Sequence, residues 1–162
     1  MDNYEKIILD NLARLYKNMP EHLEQLLPGQ YQNEQIILKA FGVSYRIGPD
    51  GITVGDKTET GVVGILISLY ALHANAAMCS PTPYKAYREF PNSMPYAGAF
   101  ASHTEQILIP HINKIENNLN KIFDSLNGEP GSGNEGGDIS FTVRPFPKII
   151  LKYIFYFADD DF

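Results

Sequence analysis

The chain has 162 residues, with 13 Lys and Arg against 19 Asp and Glu for a formal charge of −6. A domain of this length buries roughly 68–70% of the surface its unfolded chain exposes, so a core needs neither disulfide nor metal. A hydrophobic fraction of 44% with 12% aromatics excludes disorder of the whole chain. The acidic balance argues against an extended phosphate-binding surface, so no nucleic-acid partner is expected.

The lone Cys79 cannot close an internal disulfide, and no CxxC or CxxH spacing is present for a thiolate metal site or a redox dithiol. A reducing compartment fits that usage. Met1-Asp2-Asn3-Tyr4-Glu5 lacks the basic and apolar regions of a secretory signal, and no run of about 18 apolar residues could span a bilayer. The expectation is a soluble, cytoplasmic protein with no membrane partner.

In chain order, Tyr4, Ile7, Ile8, Leu12, Leu15 and Met19 recur at three- and four-residue steps and predict an amphipathic helix from Asp2 to about Met19. Pro20 stops it, and Glu21 to Leu27 form a short second helix before the Pro28-Gly29 turn. From Gln35 to Val54 the period changes to that of extended chain, which predicts a β-hairpin around Gly48-Pro49-Asp50-Gly51, with Gly42 marking a bulge or bend in its first strand. Thr60 or Gly61 caps a helix over Val62 to Ala74. It is apolar on nearly every side and therefore predicted to be buried at the centre.

Asn75 to Pro95 holds Pro81, Pro83, Pro91 and Pro95, which forbid a long regular element, although Tyr84 to Phe90 could form a short helix or strand. Leu108, Ile112, Ile115, Leu119, Ile122 and Leu126 then mark a helix over about Ala97 to Leu126, kinked or split at Pro110. Asn127 to Gly137 is a flexible loop by composition. Two strands follow, Asp138 to Arg144 and Lys148 to Phe157, joined through Pro145-Phe146-Pro147. This order predicts an α+β fold, a small and mainly antiparallel sheet packed against two or three helices, as a single domain over residues 1–162. The stretch Ile149 to Phe157 is nearly continuous apolar chain, the pattern of a strand buried on both faces. It should be central in its sheet, or pair with a second copy in a homodimer.

Gly136-Gly137-Asp138, Phe146-Pro147-Lys148-Ile149-Ile150-Leu151 and Asp159-Asp160-Asp161-Phe162 resemble the end of the DUF3786 family of uncharacterised bacterial and archaeal proteins. Phe41-Gly42-Val43-Ser44-Tyr45 and Ile65-Leu66-Ile67-Ser68-Leu69-Tyr70 resemble a strand and a helix of the same family. The resemblance implies no activity that transfers residue by residue. Some similar proteins carry an added Cys-rich iron-sulfur module, which one cysteine cannot support. The family pattern implies a further proline and apolar strand beyond the acidic motif, so the chain is either shortened or completes its sheet by another route.

His73 and Cys79 are close in sequence, but a nucleophilic pair needs a thiolate within hydrogen-bond reach of the imidazole, which proximity alone does not supply. His103 and His111, with Glu105 nearby, lie about 12 Å apart along an unbroken helix and cannot share one metal ion. His22 with Glu21 and Glu24 reads as a solvated face. Asp159, Asp160 and Asp161 alternate faces on an extended strand, so all three cannot converge on a cation. Gly131, Gly133, Gly136 and Gly137 precede a strand rather than a helix, which excludes a phosphate loop. No cofactor, metal or catalytic residue is expected.

The proline-rich stretch is the better candidate, because aromatic, Met and Arg residues are enriched where partners bind. Met78, Tyr84, Tyr87, Arg88, Phe90 and Tyr96, with His73, form the expected ligand- or partner-binding set of a non-catalytic binding or accessory module, with Met94 and Lys85 beside them. The competing expectation is a loop packed onto the core through its aromatics. The alternative function is a small enzyme or metal-dependent hydrolase using His73 with acids of the C-terminal strand. A closed pocket converging on His73 would favour the enzyme, and an open apolar patch at Tyr84, Tyr87 and Tyr96 the module.

Overall fold

The computed structural model describes residues 2–19, 23–133 and 136–157. His22 with Glu21, and Asp159 to Asp161, lie outside the described residues. The chain is α+β, with helices and two antiparallel sheets of five and three strands. It forms two compact units, Met1–Met78 with Pro145–Ile149, and Cys79–Arg144 with Ile150–Phe162.

The first unit opens with α1 (Asn3–Lys17) and a short α2 (Leu23–Leu26), followed by β1 (Gln30–Gln32), β2 (Gln35–Ala40), β3 (Val43–Gly48), β4 (Gly51–Val54) and β5 (Lys57–Thr58), and then α3 (Val62–Leu72). The five strands run in sequence order as an antiparallel meander. The single hairpin expected between Gln35 and Val54 is instead three strands with two tight turns. Ala40 pairs with Val43 around Phe41 and Gly42, both at positive φ, 50° and 78°. Consecutive left-handed residues match the twist of the flanking strands, so Gly42 makes a two-residue turn and not a bulge. Gly48 pairs with Gly51, which shortens the expected four-residue connection to Pro49-Asp50. The hairpin joining β1 to β2 turns on Asn33 and Glu34 (φ 52° and 61°), residues with no glycine to announce it.

The strands alternate as a half-buried sheet requires, with Ile36, Leu38, Ala40, Tyr45, Ile47 and Ile52 pointing inward. Ile8, Leu12 and Leu15 of α1 and Ile67 and Ala71 of α3 complete that core. The two helices are pinned by a buried polar contact. Asn11 Nδ2 donates to Ser68 Oγ at 3.0 Å, and the hydroxyl donates to the Ile65 carbonyl at 2.9 Å. Gly64 permits this closeness, since a Cβ there would stand 2.6 Å from Ile8 Cδ1 and 2.9 Å from the Glu59 carbonyl oxygen. α3 is not buried all round: Gly64, Ile67, Ser68 and Ala71 face the core, whereas Val62, Leu66 and Leu69 are exposed.

The core of this unit is closed by residues far along the chain. Phe146 is buried, stacked on Tyr70 at 4.5 Å between centroids and edge-on to Phe41 at 5.0 Å. The Phe41 N–H donates to the Pro145 carbonyl at 2.7 Å, the Lys148 N–H to Tyr70 Oη at 3.2 Å, and Lys148 Nζ to the Asn75 carbonyl at 2.6 Å.

The second unit holds α4 (Ala97–Phe100), α5 (Ile112–Glu116), α6 (Leu119–Leu126) and β6 (Glu129–Pro130), with most of β7 (Ile139–Phe146) and β8 (Ile149–Phe155). The long helix expected over 97–126 is a succession of short pieces, with a π-helical turn at Ala101–Glu105 and a 3₁₀ segment at Gln106–His111 before α5. Pro110 lies in that 3₁₀ segment and has no N–H for a regular α turn. A second break follows at Asn117-Asn118, where Asn118 Nδ2 caps the Lys114 carbonyl at 2.8 Å. The apolar period survives the breaks, since Leu108, Ile112, Ile115, Leu119, Ile122 and Leu126 are all half-buried among more exposed neighbours. Phe141 of β7 centres the unit's aromatic core, 5.2 Å from Tyr153 and 6.0 Å from both Phe123 and Phe155.

Among the described residues the sheet order is β6-β7-β8, which puts the greasy strand at an edge and not at the interior position its composition suggests. Leu151, Ile154, Tyr156 and Phe157 are exposed. The continuous apolar run satisfies one aromatic face, where Tyr153 and Phe155 meet Phe141, and leaves much of the remainder uncovered.

Phe146→Ala should cost about 3–5 kcal/mol of stability in urea unfolding, and Phe146→Leu clearly less, because the void opens between two rings that cannot close over it. Tyr16 supplies a pH signature. Its hydroxyl donates to the Ile47 carbonyl at 2.8 Å, and burial, reinforced by Tyr31 and Glu34, pushes its pKa from 10.0 up to about 12. The neutral phenol's contribution is complete below pH 10, where both states are protonated, and is lost as pH rises from 10 towards 12, because the unfolded state releases its proton first. Denaturation midpoints measured across that window should fall in the parent protein and fall less steeply in Tyr16→Phe.

Candidate functional site

The segment from Cys79 to Tyr96 of the second unit is ordered by local bonds rather than by a regular element. Ser80 Oγ donates to the Thr82 carbonyl at 2.8 Å, ahead of a cis Thr82-Pro83 peptide. The Ala86 N–H is taken by Glu89 Oε2 at 2.5 Å, which caps the 3₁₀ turn Tyr87–Glu89 from below. Ser93 is the buried pivot, its hydroxyl donating to the Phe90 carbonyl at 2.8 Å, and the Tyr96 N–H returns to the Ser93 carbonyl at 2.9 Å. A second 3₁₀ turn, Met94–Tyr96, runs directly into α4.

Two rings are held in place. Tyr87 lies flat on Phe100 of α4, 4.2 Å between centroids and 2° between planes. Tyr84 receives Lys152 of β8, with Nζ 4.9 Å from the ring centroid, the distance of a cation–π contact. The other large side chains are not packed away: Phe90, Tyr96 and Met94 are 52%, 62% and 69% exposed, and Arg88 is also open. These turns therefore join a hydrogen-bonded backbone to uncovered apolar side chains.

The remaining expected site residues belong to the first unit. Met78 is 91% exposed at its end. His73 is the exposed C-terminal cap of α3, its N–H donating to the Leu69 carbonyl at 3.0 Å. A cleft of about 250 Å³ opens by the last turns of α1 and α3, lined by Arg14, Leu15, Asn18, Leu23, Leu72 and Ala74 among others. His73 does not line it, although both of its chain neighbours do. The acids that a hydrolase would draw from the chain's end fall outside the described residues. Among the described residues no group of three or more His, Cys, Asp or Glu side chains could hold a metal, and no helix is long and apolar enough to cross a membrane.

Sequence reasoning missed three positions that shape this surface. Ser93 looks like loop filler, and only its buried bonds to Phe90 identify it as the pivot. Phe100 and Lys152, which hold Tyr87 and Tyr84, lie on elements that spacing alone could not bring to the loop.

Fold and surface together define an α+β protein that carries an exposed, internally braced aromatic segment. The chain belongs to the DUF3786 family, described as a domain of unknown function, and matches it over residues 5–162. No curated protein and no solved structure matches it.

If the Tyr87–Phe100 stack holds the turns, Tyr87→Ala should speed limited trypsin cleavage after Lys85 and Arg88 by about 2- to 10-fold. That is the range expected from an aromatic pair worth about 0.5–1.5 kcal/mol. The cleavage products are read by mass spectrometry.

Proposed function

We propose that the protein is a binding or accessory module that engages a protein partner through the braced aromatic segment. The observation that carries this reading is the exposure of Phe90, Met94 and Tyr96 on consecutive turns whose backbone is already bonded. A pre-ordered backbone leaves only side-chain rotamers to be fixed on binding, and exposed aromatic and Met side chains are the residue types enriched at interfaces. Lys85 and Arg88 flank these anchors, so the partner chemistry that fits is an aliphatic side chain or two beside a carboxylate.

The test is selection of binders from a displayed library of acidic, aliphatic-rich peptides, followed by titration of the best against the parent protein and a Phe90→Ser, Met94→Ser, Tyr96→Ser triple variant. Affinity should fall by about 100-fold or more, the combined loss expected of central anchors, while the melting temperature stays put. Binders whose affinity ignores the triple variant would count against the reading.

A further inference from the structure

Independently of the aromatic segment, we infer that the outward face of α3 is a self-association surface, on which the α3 helices of two copies of this chain pack antiparallel about a two-fold axis midway between Leu66 and Leu69. α3 reads Val-Val-Gly-Ile-Leu-Ile-Ser-Leu-Tyr-Ala-Leu and carries no charged residue. A helix that is apolar on every side is ordinarily buried on every side, whereas this one is buried only along Gly64, Ile67, Ser68 and Ala71. At about 100° per residue, Val62, Leu66, Leu69 and His73 fall within an arc of about 60°, centred on the side opposite that buried face. Val62, Leu66 and Leu69 are 56%, 43% and 38% exposed, and the exposed His73 ends the stripe.

Spacing selects a second copy as the occupant. The steps along the stripe are four, three and four residues, the same read from either end. An antiparallel copy therefore meets it in register, with Leu66 against Leu69 of the second copy, Leu69 against its Leu66, and Val62 against its His73. This arrangement also sets the positive end of each helix dipole beside the negative end of the other. A chain of formal charge −6 repels its own copies through charged surfaces, and this stripe takes no acid out of water. Tyr4 and Ile7 of α1 widen the surface. They are 43% and 36% exposed, and they lie within about 40° of Asn11, the residue that touches α3 through Ser68. Val62, Leu66, Leu69, Tyr4 and Ile7 together leave roughly 400 Å² of side chain uncovered per copy. With His73 and the half-buried Ile65 and Leu72 at the rim, two copies reach the scale of about 1,000 Å² at which specific interfaces begin. The product is an isologous pair in which α1 and α3 of each copy form a four-helix layer.

Sedimentation equilibrium of the full chain, over a micromolar concentration series, should return a mass that rises to twice that of the chain. Leu66→Glu combined with Leu69→Glu sets acid against acid on both sides of the axis, and should weaken association by about tenfold or more. Both side chains point away from the core, so the far-ultraviolet spectrum and melting temperature should stay those of the parent. In a Cys79→Ser background, Val62→Cys combined with His73→Cys should give a covalent dimer on mild oxidation, because facing helix positions come within disulfide reach. Within one chain these positions stand about 16 Å apart along the helix and cannot close on each other. Either substitution alone should give no cross-link, since its two copies would be separated by about the same distance. A parent protein that stays monomeric through the series overturns the inference. So does a dimer that the paired glutamates leave undiminished, or one that cross-links through Val62→Cys alone, as parallel helices would.

Discussion

The burial of Phe146 between Tyr70 and Phe41 is the constraint on which the first unit depends. Without it, the last turn of α3 and the β2–β3 turn would leave aromatic faces open at the rim of the core. The bonds from the Phe41 N–H to the Pro145 carbonyl and from the Lys148 N–H to the Tyr70 hydroxyl hold the short segment that carries the ring. The consequence is topological. The N-terminal meander and its helices need a segment from the far end of the chain, so this unit cannot be completed from contiguous sequence.

Within that frame, polar groups are spent sparingly and in pairs. Asn11 donates to Ser68 between α1 and α3, the Ser68 hydroxyl donates on to the Ile65 carbonyl, and no buried side-chain nitrogen or oxygen is left without a partner among the described residues. A buried Asn–Ser contact contributes little net stability, but leaving either group alone is costly, so the pair disfavours helix registers that would separate them. Tyr16 acts similarly towards the sheet, joining the end of α1 to the carbonyl of Ile47.

The second unit also gathers rings on the inside, and it too leaves many apolar side chains at the surface. Phe141 gathers Phe123, Tyr153 and Phe155, yet Phe90, Met94, Tyr96, Ile107 and Ile109 remain exposed. A helix broken by Pro110 and again at Asn117-Asn118 cannot hold one face against one partner over its length, which is why its apolar stripe is only half covered.

The sequence by itself determined what depends on neighbours in the chain. The period of α1, the apolar run that became α3, the prolines of the 78–96 stretch, and the alternation of β2, β3 and β7 were all legible, and with them the α+β class. The aromatic segment was equally legible as composition. What needed tertiary structure were features decided by residues far apart. The Phe41-Gly42 turn reads as a bulge until the β2–β3 register is known, and Ser93 reads as filler until its burial is known. The apolar tail reads as an interior strand, because hydrophobicity records how much surface a segment can bury. It does not record how many neighbours the fold supplies, and among the described residues the sheet supplies one.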